Sequence, residues 1–119
     1  MSMELSNLIR QQIERDRRRG FLVDFDDDTA REEQLMRDLV GLFGEVGEFS
    51  NLLKKVTLAR TTSGYAGPTL AEASPHLREE LADAAIYIFR IATILGGDLE
   101  ADIIEKIERN DERYRNLEG

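Results

Sequence analysis

Two long stretches of this chain place apolar residues at alternating steps of four and three: Leu35, Leu39, Leu42, Val46, Phe49, Leu53 and Val56, and later Leu77, Leu81, Ala84, Ile88, Ile91 and Leu95. Residues so spaced share one stripe of an α-helix and scatter over both faces of a strand, so each stretch predicts a long helix packed along a seam. Both prolines, Pro68 and Pro75, fall between the two stretches, which leaves most of the chain free of helix breakers. The expectation is an all-α, four-helix bundle-like fold. A chain of 119 residues suits one domain with a single core.

The remaining elements fit around that pair. Leu5, Leu8, Ile9 and Ile13 have helical spacing and are followed by a run from Arg15 to Arg19 and by Gly20, which predicts a first helix over residues 3 to about 18. The arginines read as a solvated last turn that complements the helix dipole. Phe21, Leu22, Val23 and Phe25 can tuck apolar side chains against a bundle, and Asp26, Asp27 and Asp28 read as a solvated connection. Thr29 with Glu32 is a capping-box pattern, so the second helix is expected to start at Ala30. Residues 57 to 73 keep no period and read as irregular chain, a possible lid, before Ser74 as cap and Pro75 at the first turn open the third helix. Gly96-Gly97 ends it. Asp98 caps a fourth helix to about Arg115, with Leu99, Ile103, Ile107 and Tyr114 expected inward. The domain thus spans 1–119, with a core over about 30–115 and an N-terminal helix and connection over 1–29.

Charge and composition exclude several functions. With 24 acidic and 16 basic residues the net charge is -8, which disfavours a general nucleic-acid-binding surface. Cysteine is absent, which removes disulfides, zinc thiolate sites and a Cys nucleophile. The most apolar stretch is interrupted by Asp83 and Arg90, so neither a signal peptide nor a membrane span is indicated, and a soluble, cytoplasmic protein is expected.

The chemistry is concentrated in two acidic pairs. Glu45 and Glu48 lie about 70° and 130° from the centre of the first seam, at about 100° per residue, and Glu80 and Asp83 occupy the same flank of the second. Matched flanks of two facing helices meet when the helices run antiparallel, as consecutive helices in a bundle usually do. Four crowded carboxylates repel one another unless a cation lies between them, and an all-oxygen donor set selects Mg²⁺ or Mn²⁺. Metal-assisted hydrolysis of a phosphoanhydride is the natural reaction class. The alternative for either pair alone is an ordinary exposed helix face in a chain that is 34% charged. Gly41, Gly44 and Gly47 lie beside the acids at a cost of about 1 kcal/mol each relative to Ala, and serve either the close approach of another helix or room for a bulky ligand. A diiron site is disfavoured, because the single histidine, His76, has Ala73 and not a glutamate three residues before it. His76 reads as a surface or capping residue.

Three segments carry a family resemblance. Residues 44–55 (Gly-Glu-Val-Gly-Glu-Phe-Ser-Asn-Leu-Leu-Lys-Lys), 78–87 (Arg-Glu-Glu-Leu-Ala-Asp-Ala-Ala-Ile-Tyr) and 106–114 (Lys-Ile-Glu-Arg-Asn-Asp-Glu-Arg-Tyr) resemble, in that order, the signature blocks of the MazG-like all-α nucleoside triphosphate pyrophosphohydrolases. The resemblance implies hydrolysis of a ribo- or deoxynucleoside triphosphate to the monophosphate and pyrophosphate, as in nucleotide-pool sanitation. It implies that Glu45, Glu48, Glu80 and Asp83 bind Mg²⁺, with one of them directing the attacking water. It assigns Lys106, Asn110 and Arg113, assisted by Lys54 or Lys55, to the phosphates and Tyr87 to the nucleotide. It also implies a homodimer or dimer of dimers. The gap between the acidic pairs is longer than usual for the family, and the tryptophan with which some relatives stack the base is absent. The alternatives are a phosphoribosyl-ATP pyrophosphohydrolase-like enzyme and a non-catalytic helical oligomerisation module.

Overall fold

The computed structural model describes residues 4–118 and is all-helical over them, with no strand. Four helices follow one another: α1 (Leu5–Arg18), α2 (Asp28–Thr61), α3 (Leu70–Ile94) and α4 (Leu99–Arg113), with a final short 3₁₀ turn (Arg115–Leu117). The expected start of α1 at residue 3 lies outside the described residues.

The helix ends show which capping signals won. Asp27, and not Thr29, caps α2, its side chain accepting from the Ala30 backbone N–H at 2.8 Å. Asp is at least as good a cap as Thr, and starting there lengthens the helix by two residues. The interval 57–73 is mostly helical: α2 runs on to Thr61 and α3 begins at Leu70, leaving a connection of residues 62–69. The reason is a capping box that the sequence reading overlooked, in which Thr69 and Glu72 each accept from the other's backbone N–H. Pro75 therefore sits inside α3, and Ser74 donates to the Leu70 carbonyl instead of capping. Gly96 closes α3 with φ +76, and the Gly97 N–H returns to the Ala92 carbonyl. Asp98 caps α4 as expected.

α2 and α3 form the hairpin on which everything else rests. Asp38 meets Arg90, Glu45 and Glu48 meet Glu80, and Val56 packs with Ala73 and Leu77. Partners that rise in number on α2 fall on α3, so the two helices are antiparallel.

Each end of the hairpin has a small apolar cluster. Val56, Ala73 and Leu77, with Phe49 and Leu52 against them, close the end near the connection. Ile13, Val23 and Ile94, with Ile9, Phe25 and Leu35, close the other and bring in α1 and the segment after it. The middle buries the charged Asp38, Glu80 and Arg90 alongside Ala84 and Phe89.

This arrangement corrects the seam. At about 100° per residue, the buried line of each helix is turned by about 60° toward the acidic flank, so Asp38 and Glu80 are buried while Val46, Leu53, Leu81, Ile88 and Leu95 are exposed. α2 is not mostly buried: among its described residues only Asp38 and Val56 are. α4 does not turn Ile103, Ile107 and Tyr114 inward either. It touches α1 and α3 but not α2, and it has no buried residue.

Candidate metal centre

Facing positions along the middle of the hairpin bring three of the four acids together. One carboxylate oxygen from each of Glu45, Glu48 and Glu80 lies within 4.8 Å of the others. Glu80 is buried, Glu45 half-buried and Glu48 exposed, so the cluster opens at one side. Asp83 is a turn along from Glu80 and is not in this group; it lines a cavity together with Glu45. The predicted pairs thus meet, with Asp83 set off toward Tyr87.

Crowding has an electrostatic consequence. A proton shared with Glu45, then burial, then the nearness of Glu48 push the Glu80 carboxyl up to about 7 from an ordinary 4.5. Buried Oε2 atoms of Glu45 and Glu80 have no hydrogen-bond partner among the described residues. Two orphaned carboxylate oxygens beside a third carboxylate are a donor set that fits a hard divalent cation such as Mg²⁺ or Mn²⁺.

The other predicted site residues separate into two groups. Lys55 and Tyr87 flank the acids: Lys55 lines a cavity with Glu48 and Glu80, and Tyr87 lines the cavity with Glu45 and Asp83. Lys54 is exposed next to Lys55. Lys106, Asn110 and Arg113 are on α4, which has no contact with α2, so within one chain they do not join the acids. Arg113 instead lies over the ring of Tyr114, 5.1 Å from its centroid.

Three features escaped the sequence reading. His76 is largely exposed, but its Nε2 lies 3.0 Å from Glu80 Oε1, leaving Oε2 as the unpartnered oxygen. The four-residue spacing from His76 to Glu80 was the available signal. Second, Arg90 is buried, its Nε donating to Asp38 and its Nη1 to Asp16, while further N–H groups donate to the Phe21 and Leu22 carbonyls. Burial alone would lower its pKa, but Asp38 and Asp16 outweigh that and raise it. Asp16, the one acid in the arginine run, marked that contact. Third, the segment after α1 borders the site: Gly20, Phe21 and Leu22 line the same cavity as Glu45 and Tyr87.

The glycines divide as well. A methyl group at Gly41 would overlap the Tyr87 ring, so Gly41 lets that ring lie across α2. Gly44 and Gly47 face open space in the single chain.

Comparison with models of protein families, with curated proteins and with solved structures gave no match.

Proposed function

We propose that this chain is a Mg²⁺-dependent nucleoside triphosphate pyrophosphohydrolase that converts a ribo- or deoxynucleoside triphosphate and water to the monophosphate and pyrophosphate. The observation that carries the reading is the convergence of Glu45, Glu48 and Glu80 with two buried, unpartnered oxygens. Glu45, Glu48 and Glu80 would hold the ion, with Asp83 beside them. Once bound it would supply charge neutralisation of the phosphates and a more acidic water. The carboxylate left free of metal accepts the proton of the attacking water. Lys55 meets phosphate charge at the open side, and His76, in the same cavity, fixes the Glu80 carboxylate. The alternative nucleotide, phosphoribosyl-ATP, would use the same chemistry.

The reading includes a homodimer or dimer of dimers. The Cα radius of gyration is 18.5 Å, against about 13.5 Å for a compact chain of this length. The accessible surface is 8967 Å², against about 6,600 Å². Phe43 and Leu95, both 65% exposed, belong to apolar stripes on α2 and α3 that turn away from the acids, and α4 adds Ile104 and Ile107. A second copy covering these stripes completes a helical bundle and can bring Lys106, Asn110 and Arg113 to its partner's phosphates.

Pyrophosphate release from a panel of ribo- and deoxynucleoside triphosphates with Mg²⁺ tests the activity, alongside Glu48→Gln and Asp83→Asn. Release by the wild type and its loss in folded variants is the expected result. The exposed apolar stripes also favour a second reading, a non-catalytic oligomerisation module. Absence of release from every nucleotide, with no Mg²⁺-dependent rise in melting temperature, would establish that reading instead.

A further inference from the structure

We infer that the cavity under the segment after α1 is the nucleoside end of this site and is built for a base with an exocyclic amino group. The inference rests on the pyrophosphohydrolase reading for the triphosphate, but its base-binding half can be measured separately. Two cavities adjoin the acids from different sides, and their linings differ in kind.

The first, of about 520 Å³, has a volume in the range of small-molecule sites. Beyond Glu45 and Asp83 it is walled by Phe21, Leu22, Ile86 and Tyr87. Apolar and aromatic walls suit the faces of a planar base. The Tyr87 ring lies in the space that Gly41 leaves, and the Phe21 and Leu22 backbone is held by Arg90, so these walls are built before a ligand arrives.

Charge decides which part of a nucleotide enters. Asp16 and Asp38 are both buried here against the single cation Arg90. Asp16 is fully partnered, one oxygen accepting from Gln12 and the other from Arg90. Asp38 is 4% exposed, and while its Oδ1 accepts from Arg90 its Oδ2 has no partner among the described residues. An excess buried carboxylate repels phosphate and favours a hydrogen-bond donor. Cytosine at C4 and adenine at C6 bring an amino group; uracil, thymine and hypoxanthine bring a carbonyl oxygen in its place, which faces Asp38 as acceptor against acceptor. Gln34, also in the lining, can serve the neighbouring edge as donor or acceptor.

The second cavity, of about 450 Å³, contains Lys55, His76 and Asn51 beside Glu48 and Glu80. Lys55, Asn51 and His76 suit phosphate oxygens once a divalent cation on Glu48 and Glu80 offsets the acids, to which the lining adds Glu72. The substrate therefore lies with its nucleoside at Tyr87 and Leu22, its α-phosphate at the acids and its leaving pyrophosphate toward Lys55.

The test measures kcat/KM for the pairs CTP and UTP, and ATP and ITP, in ribo and deoxy forms, with wild type, Asp38→Asn, Gln34→Leu and Leu22→Trp. Alongside, titrations of wild type, Asp38→Asn and Leu22→Trp with CMP and UMP are followed at the Gln34 side-chain amide by nuclear magnetic resonance. A buried acceptor left facing an acceptor discriminates by about tenfold to a hundredfold. The wild type is expected to prefer the amino member of each pair by that factor and to bind CMP over UMP. Asp38→Asn brings the ratio close to one, and where loss of the Arg90 ion pair unfolds it the wild-type preference for CMP over UMP carries the test; Gln34→Leu weakens both members of each pair alike. Leu22→Trp, on an exposed residue, weakens every nucleotide. Hydrolysis without discrimination, or discrimination untouched by a folded Asp38→Asn, overturns the inference and leaves the pyrophosphohydrolase reading standing. CMP binding at Gln34 without hydrolysis of any triphosphate overturns that reading and keeps the amino-base cavity. Neither binding nor hydrolysis overturns both.

Discussion

Glu80 carries the sharpest consequence of the crowded acids. Its carboxyl keeps a proton up to about 7 in the folded protein, and an unfolded glutamate releases it near 4.5. Between those values the folded state binds more protons, so the stability of metal-free protein falls as pH rises through that window and then levels. Melting temperature in a chelator from pH 4.5 to 8 should show that decline, and Glu80→Gln should flatten it. A melting temperature that climbs across the window would sink the assignment. Because a cation needs the deprotonated acids, the Mg²⁺-induced rise should be larger at pH 8 than at pH 5.5. Gly41 gives a second residue-scale prediction. Gly41→Ala forces the Tyr87 ring aside at an overpacking cost of about 1–3 kcal/mol, read as a lowered denaturant midpoint.

At the scale of elements, the caps and the Arg90 lock decide where helices begin and how α1 is attached. Asp27→Ala should cost about 1 kcal/mol and Thr69→Ala a similar amount, while Thr29→Ala and Ser74→Ala, which lose no cap, cost less in chemical denaturation. Arg90→Met leaves Asp16 and Asp38 buried without their cation. Breaking a buried pair from one side costs about 3–5 kcal/mol, and hydrogen exchange should show α1 losing protection first. Equal loss across all helices would mean that Arg90 does not specifically tie α1 to the hairpin. These contacts also explain the limits of the periodic reading. Apolar residues mark a seam only where the facing line is apolar, and in the middle of this hairpin the facing residues are Asp38, Gly41, Glu45, Glu80, Tyr87 and Arg90.

For the whole molecule, the thin core and large surface make association part of stability. No large side chain is completely buried among the described residues, and the apolar stripes carry Phe43, Ile88 and Leu95 in the open. Ile88→Asp on the stripe should halve the mass seen by sedimentation and lower the melting temperature, and the wild-type melting temperature should rise with protein concentration. A wild type that sediments as a monomer at all concentrations would rule the dimer out. Gly44→Ala discriminates further: in an isolated helix it adds about 1 kcal/mol of stability, whereas a partner helix seated against the open face of Gly44 turns it into a loss.

The all-helical class, the approximate helices, the stops at Gly20 and Gly96 and the antiparallel meeting of the two acidic flanks were legible in the sequence, because periodicity, capping and flank position are local properties of a helix. Glu45, Glu48 and Glu80 could be paired on those grounds alone. Which line of each helix faces its neighbour was decided by the tertiary structure, because a buried ion-pair network and a tyrosine lying on a glycine can occupy an interface that apolar counting assigns to leucines. The same holds for Asp16 and Leu22: each reaches the site through contacts that no local pattern encodes, and only the packing of α1 and its connection onto the hairpin brings them there, whereas His76 reaches Glu80 along its own helix.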